Sequence, residues 1–224
     1  MTDEQPTPSG AAAASATLDL GAILGGPFRD PRALPKFLGG CLAVIGILFF
    51  GLGLLALLGF AFQTAQRARA GEEHPMPEWA DIGRLLGDGL RVLGVALGYL
   101  LAPLALTLVA AVLSVIPVLG SLADFVLGPV TLLLGLLAVI LLPVALARMV
   151  ASDEIGSAFR IQENLRLIQA HLGAYVVFLL IVILIEILEA ASFALCGIGI
   201  IPGLFWSQAA FGIGLGQSAR TMGI

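Results

Sequence analysis

Three stretches of this 224-residue chain carry no charge at all, and each is long enough to cross a bilayer: Phe37 to Phe62 (26 residues), Val92 to Ile116 (25) and Phe125 to Ala147 (23). A helix rising 1.5 Å per residue needs about 20 apolar residues to cross roughly 30 Å of hydrocarbon. A fourth run, Leu172 to Leu195, is interrupted by Glu186 and Glu189. A fifth, Cys196 to Ala219, is glycine-rich and holds Trp206 and Gln208. Hydrophobic residues make up 59% of the chain and charged residues 12%, too few charges to coat a water-facing surface. The spacing therefore predicts an all-α fold, a polytopic membrane helix bundle of about five membrane segments. Pro103, Pro129 and Pro143 are expected as kinks within spans, because neighbouring helices in lipid re-satisfy the freed carbonyls. The glycines, among them Gly135 and the Gly212-x-Gly214-x-Gly216 run, are expected to allow close helix approach rather than to cradle phosphate.

Between the runs lie polar interludes. Residues 1–17 are rich in Ala, Ser, Pro, Thr and acids and read as a disordered tail; the early Asp3 and Glu4 argue against a basic leader. In "GEEHPMPEWADIGRLLGDGLRVLG", Gly71 to Gly94, the apolar positions Trp79, Ile82, Leu85, Leu86, Leu90 and Leu93 step by three and four. This predicts an amphipathic helix over 78–91 lying flat in the interface, anchored by Trp79, Arg84 and Arg91, with Asp81–Arg84 and Asp88–Arg91 able to pair. A second flat helix is expected over 153–170, with Ser152 as N-cap and Phe159, Arg160 and Arg166 as anchors.

The eleven Lys and Arg bear on orientation. Three precede the first run (Arg29, Arg32, Lys36), four lie between runs one and two, three between runs three and four, and Arg220 follows run five. The positive-inside rule then places both interfacial helices and the C-terminus in the cytoplasm of a multi-pass cell-membrane protein. If run one crosses once, eight basic residues lie inside and three outside. If it dips in and returns, as two arms of roughly 18 Å each at 1.5 Å per residue, all lie inside. The straight span is the default expectation and the re-entrant hairpin the alternative.

Residues 71–90 resemble a prokaryotic integral membrane family, domain-of-unknown-function family 4013. The matching positions are Gly71, Glu72, Pro77, Glu78, Trp79, Asp81, Gly83, Leu85, Asp88, Gly89 and Leu90, with "PFRDP" (Pro27 to Pro31) upstream. The chain departs from that pattern at Ala80, where a second acid is expected, and at Phe60, where tyrosine is expected. The resemblance implies a membrane protein and carries no activity, so no catalytic residue is transferred.

For chemistry the sharpest candidates are Glu186 and Glu189, three apart on one face of a spanning helix, as an ion or proton site. Fifteen Leu, Ile, Val and Phe between Leu172 and Leu195 outweigh the insertion cost of both acids. A structural role, protonated or at a wet rim, is weighed ahead of the functional one. His74 and His171 stand alone, and two cysteines form no metal pattern. No catalytic, cofactor or metal residues are assigned. The expected role is non-enzymatic, membrane scaffolding or shaping, with a small transporter or channel using Glu186 as the alternative. The bilayer is the expected partner and nucleic acid is not; a second copy or another membrane protein is left open.

Overall fold

The computed structural model describes residues 17–47, 51–193 and 199–224. Among them every regular element is a helix: α1 (Leu20–Arg29), α2 (Ala33–Gly46), α3 (Leu52–Ala70), α4 (Ile82–Leu113), α5 (Pro117–Ser152), α6 (Ile155–Ala158), α7 (Ile161–Ala170), α8 (Leu172–Phe193) and α9 (Ile200–Thr221). The expected tail, apart from Thr17, lies outside the described residues, as does Cys196. Cys41 is a half-buried free thiol on α2.

Three helices are long and apolar enough to cross a membrane, over Ile82–Leu113, Leu119–Ser152 and Leu172–Phe193. Their outer faces carry Leu101, Leu104, Leu108, Val112, Leu132, Val139, Leu180 and Ile187, all exposed. So large a continuous apolar surface suits lipid and not water. The helix pairs α4–α5 and α8–α9 stand around α3, which packs most extensively on α9 and α4. Phe60, Ala65, Phe205, Ala209 and Ala210 at this centre are wholly buried.

The first apolar run is not one crossing. α2 stops at Gly46, Gly51 turns in the left-handed region (φ 71°), and α3 begins at Leu52. The two arms lie against each other: a Cβ on Gly53 would fall 1.8 Å from the Ala43 carbonyl oxygen. The start of α2 and the end of α3 meet at one residue, since Lys36 Nζ and Arg67 Nη1 both donate to the Met76 carbonyl, at 2.8 and 3.4 Å. The chain thus enters and leaves from the same end, which corrects the straight-span expectation in favour of the hairpin.

The flat helix expected over 78–91 is also corrected. Trp79 to Asp81 are loop, and Ile82 opens a 32-residue α4 with Asp81 as its N-cap, Oδ1 accepting from the Arg84 amide at 3.0 Å. No breaker separates Arg91 from Val92, so the amphipathic turns continue into the span. Of the expected stripe Leu85 is buried while Ile82 and Leu90 stay exposed; the buried face runs instead through Leu85, Gly89, Val92 and Val95, and α3 is the helix packed on α4 there. At about 48 Å, α4 is longer than the hydrocarbon thickness, and its charges lie in its first turns. The second interlude splits into α6 and α7 at Phe159–Arg160. Ser152 ends α5, and Asp153 follows in the left-handed region at φ 56°.

All eleven Lys and Arg gather at one end of the bundle. Arg29 and Arg220 line one cavity there; Arg32 pairs with Glu78; Arg69 donates to the Ile224 carbonyl. Arg84 and Arg91 flank Asp88, Arg91 reaches Asp153, and Arg148 and Arg160 reach Glu163, with Arg166 beyond on α7. The α4–α5 turn and the start of α9 at the other end carry no basic residue.

Glycine lets the backbones touch. A Cβ on Gly59 would lie 1.9 Å from the Leu85 carbonyl oxygen, and one on Gly89 1.8 Å from that of Leu55. Gly212 and Gly216 face the Ala61 and Ala65 carbonyls of α3 in the same way, whereas Gly135 meets nothing within 4 Å and plays no packing part. Gly89→Ala is therefore expected to cost about 1–3 kcal/mol through forced separation of α3 and α4. Gly135→Ala is expected to hold or raise stability, by up to about 1 kcal/mol from helix propensity. Thermal unfolding of both variants in detergent checks the contrast.

Candidate functional site

The two polar motifs of the sequence, Pro27–Pro31 and Gly71–Trp79, come together at the basic end. Lys36, on the first turn of α2, points inward and is 4% exposed; Asp30, in the turn before it, is 6% exposed. Lys36 Nζ donates to Asp30 Oδ2 at 2.7 Å and to the Met76 carbonyl at 2.8 Å, and stands 3.6 Å from Glu78. Asp30 Oδ1 accepts from the Arg32 amide at 2.7 Å. Burial pushes the Asp30 carboxyl up, but the Lys36 ammonium and the Arg32 amide outweigh it and hold it below the usual carboxylate range. A buried ammonium without partners would be strongly destabilising. With three, it joins the α1–α2 turn, α2 and the 75–81 loop.

Trp79 completes the joint. Its indole N–H donates to the Lys36 carbonyl at 2.8 Å, and its ring stacks on Phe60 at 4.8 Å between centroids. Phe205 of α9 meets Phe60 edge-on at 5.1 Å. Gly39 and Gly40 make the room: a Cβ on the first would lie 2.4 Å from Trp79, and one on the second 2.1 Å from Phe205. From the sequence, Trp79 is expected as a headgroup anchor. The structure seats it half-buried in an aromatic cluster.

The other expected anchors divide. Arg84 is exposed and 3.9 Å from Asp88; the Asp81 side chain caps α4 instead of pairing with it. Arg91 is bound on several sides, with Asp88 at 3.4 Å, Asp153 Oδ1 at 2.9 Å, the Asp153 carbonyl and the Phe62 ring face. Gln63, on the buried α3, donates to the other Asp88 oxygen at 2.7 Å. Phe159 is exposed yet stacks on Tyr99 at 5.9 Å. Arg160 stands 3.6 Å from Glu163, and Arg166 is exposed on α7. Arg148 also holds Glu163, and that hydrogen bond keeps the Glu163 carboxyl below its usual range. Asn164, wholly buried, donates to Tyr99 Oη at 3.0 Å and the Ala158 carbonyl at 2.8 Å, and so fastens α6 and α7 to α4.

Glu186 and Glu189 are neighbours on α8 but do not share a cavity. Glu186 lines a cavity of about 210 Å³ running along α9, walled by α3, α4 and α5, with Ser207 and Gln208 beside it. Glu189 does not line that space; its carbonyl accepts from Ser192 at 2.6 Å. Sequence reasoning passed over Asp30, Lys36, Gln63 and Asn164 as partners. For Asn164 the sequence holds a signal, its place four residues before Ile168 on one face of α7, the two buried residues of that helix.

These features define an all-helical protein with three helices long and apolar enough to cross a membrane, a helical hairpin and a polar lock at its charged end. A family model described as "Protein of unknown function (DUF4013)" matches residues 40–204, so the chain belongs to that family. The match takes in Gly71–Trp79 and leaves Asp30 and Lys36 just upstream. No curated protein and no solved structure matches the chain.

Removing one side of the lock leaves the other buried and uncompensated. Lys36→Met is expected to cost about 3–5 kcal/mol. The lowered Asp30 carboxyl stabilises the fold above the unfolded carboxylate range, near 3.9, and this contribution is lost as pH falls through the folded value. Melting temperature in detergent should therefore drop as pH is taken below about 4. Asp30→Asn should remove that acid-labile component while lowering stability at neutral pH. An unchanged acid profile in Asp30→Asn contradicts the assignment.

Proposed function

We propose that the protein sits in the cell membrane with its basic end in the cytoplasm, and that its role is non-enzymatic, shaping or scaffolding the inner leaflet. The observation that carries the orientation is the gathering of every Lys and Arg at one end. The hairpin supports the shaping role. Its arms, of 14 and 19 residues, are about 21 and 28 Å long, and both are rooted at the basic end. The shorter arm adds cross-section to one leaflet more than to the other. On α6 and α7, Ile155, Phe159, Ile161 and Leu165 are exposed beside charged neighbours, as in helices that lie in the interface. Extra material in one leaflet favours curvature convex on that side.

The test uses giant vesicles and a cysteine at position 72, in a background lacking Cys41 and Cys196. An impermeant dye added outside marks only the molecules whose basic end faces outward. When a thin tube is pulled, labelled protein should be enriched on it, and replacing Ile155, Phe159 and Leu165 with serine should weaken the enrichment. Equal density on tube and vesicle rejects the shaping role.

A second reading has its own support in the cavity that Glu186 shares with Ser207 and Gln208. Acids at membrane depth mark ion and proton paths. Under this reading, proteoliposomes carry a proton or cation flux that Glu186→Gln abolishes. Absence of flux, or a flux indifferent to that substitution, removes it.

A further inference from the structure

A cavity of about 430 Å³ opens at the basic end between α1, the 71–75 segment and the last turns of α9. Arg29, in the last turn of α1, and Arg220, in the last turn of α9, line it together with Glu72 and Glu73. All four side chains are exposed, and among the described residues none has a hydrogen bond or ion pair, in contrast to Lys36, Arg91 and Arg148 nearby. His74 and Asp19 also border the space, Asp19 already accepting from the Ala22 amide at 3.0 Å. The acids and His74 do not form a metal-ligand group.

The separation of the two signs is built into the backbone. Gly71 caps α3 in the left-handed region (φ 85°) and turns the chain so that Glu72 and Glu73 follow at the cavity's rim. Arg220 Nη1 comes so close that a Cβ on Gly71 would lie 3.2 Å from it. The arginines are thus held on the helix ends and the acids on the loop, lining one space without closing on each other. The remaining wall includes Ala68 and Ile213, which are apolar.

Charges of both signs that line one cavity without a protein partner suit a ligand carrying both. Two guanidinium groups suit the oxygens of a phosphate, and carboxylates suit an ammonium with three donors. On the membrane placement proposed above, on which the lipid source rests, the cavity's position at the basic end puts it at the level of lipid headgroups. We propose that it binds a phosphate ester bearing a primary ammonium, of the kind carried by zwitterionic aminophospholipids or free in solution. Arg29 and Arg220 receive the phosphate, and Glu72 and Glu73 the ammonium.

The test is lipid retention by the full-length protein, read by native mass spectrometry after equal loading with phosphatidylethanolamine, phosphatidylcholine and phosphatidylglycerol. Phosphatidylethanolamine should be retained over both others, because one lacks the N–H donors and the other the ammonium. Loss of both arginines in R29Q/R220Q should weaken its retention by about tenfold, equivalent to about 1.4 kcal/mol. E72Q/E73Q should abolish the preference over phosphatidylglycerol. All variants should melt like the parent without added lipid, since these side chains hold nothing else; R220K serves where R29Q/R220Q does not fold, and should retain partial binding. Millimolar O-phosphoethanolamine distinguishes the sources: protection by it without lipid retention assigns a soluble ligand of the same chemistry. Equal retention of the three lipids, with no response to the substitutions and no protection by O-phosphoethanolamine, overturns the proposal.

Discussion

The ammonium of Lys36 is the constraint on which the rest of the architecture hangs. A lysine this deeply buried must be surrounded by acceptors, and the acceptors come from two separate places in the chain: the Asp30 carboxylate in the α1–α2 turn, and the Met76 carbonyl and, slightly further off, Glu78 in the 75–81 loop. Satisfying it brings the root of α2 to the loop that follows α3. That proximity makes residues 33–70 a hairpin rather than a crossing, and the hairpin keeps Arg29, Arg32 and Lys36 at the end where the other eight basic residues lie. Trp79, bonded to the Lys36 carbonyl and stacked on Phe60, carries the same joint into the apolar centre and on to Phe205 of α9.

Lipid gives apolar helices little reason to associate with one another, so the bundle relies on close approach and on buried polar contacts. α3 shows both. It touches α4 through Gly59 and Gly89 and α9 through Gly212 and Gly216, and it contributes Gln63 to Asp88. The Asp88–Arg91–Asp153 chain then ties α4 to the end of α5, and Asn164 ties α7 to Tyr99. Among the five long helices the least apolar, α3, is thereby central and buried, and the most apolar ones, α4, α5 and α8, form the outer wall. A cavity persists among α3, α4, α5, α8 and α9, with Glu186 and Gln208 on its border.

The class of fold was legible from the charge-free runs, because hydrocarbon thickness admits few alternatives to an apolar helix of about 20 residues. The run Phe125–Ala147 lies wholly within α5, α4 holds the run from Val92 as far as Leu113, and α8 holds the run from Leu172 as far as Phe193. What periodicity could not supply was which apolar positions meet a helix neighbour. Leu85 of the expected stripe turns to α3 with Gly89 and Val92, whereas Ile82 and Leu90 of the same stripe stay exposed. Nor could spacing alone join Lys36 to Met76, 40 positions away. The hairpin could be named as an alternative because three basic residues before the first run conflict with a single crossing. Its confirmation needed the Gly53–Ala43 contact. Glu186 and Glu189 share a helix but not the cavity, since three residues along α8 carry the second carboxylate past it.

Cysteine accessibility at three positions tests the central claim most directly. In a background without Cys41 and Cys196, single cysteines are placed at Thr17, Glu72 and Ser114 and exposed to an impermeant maleimide in intact cells and in inverted vesicles. The hairpin requires positions 17 and 72 to react from one side and position 114 from the other. Reaction of 17 and 114 from the same side, opposite to 72, would mean that residues 37–62 cross the bilayer once, and the Lys36 lock could then not exist as described.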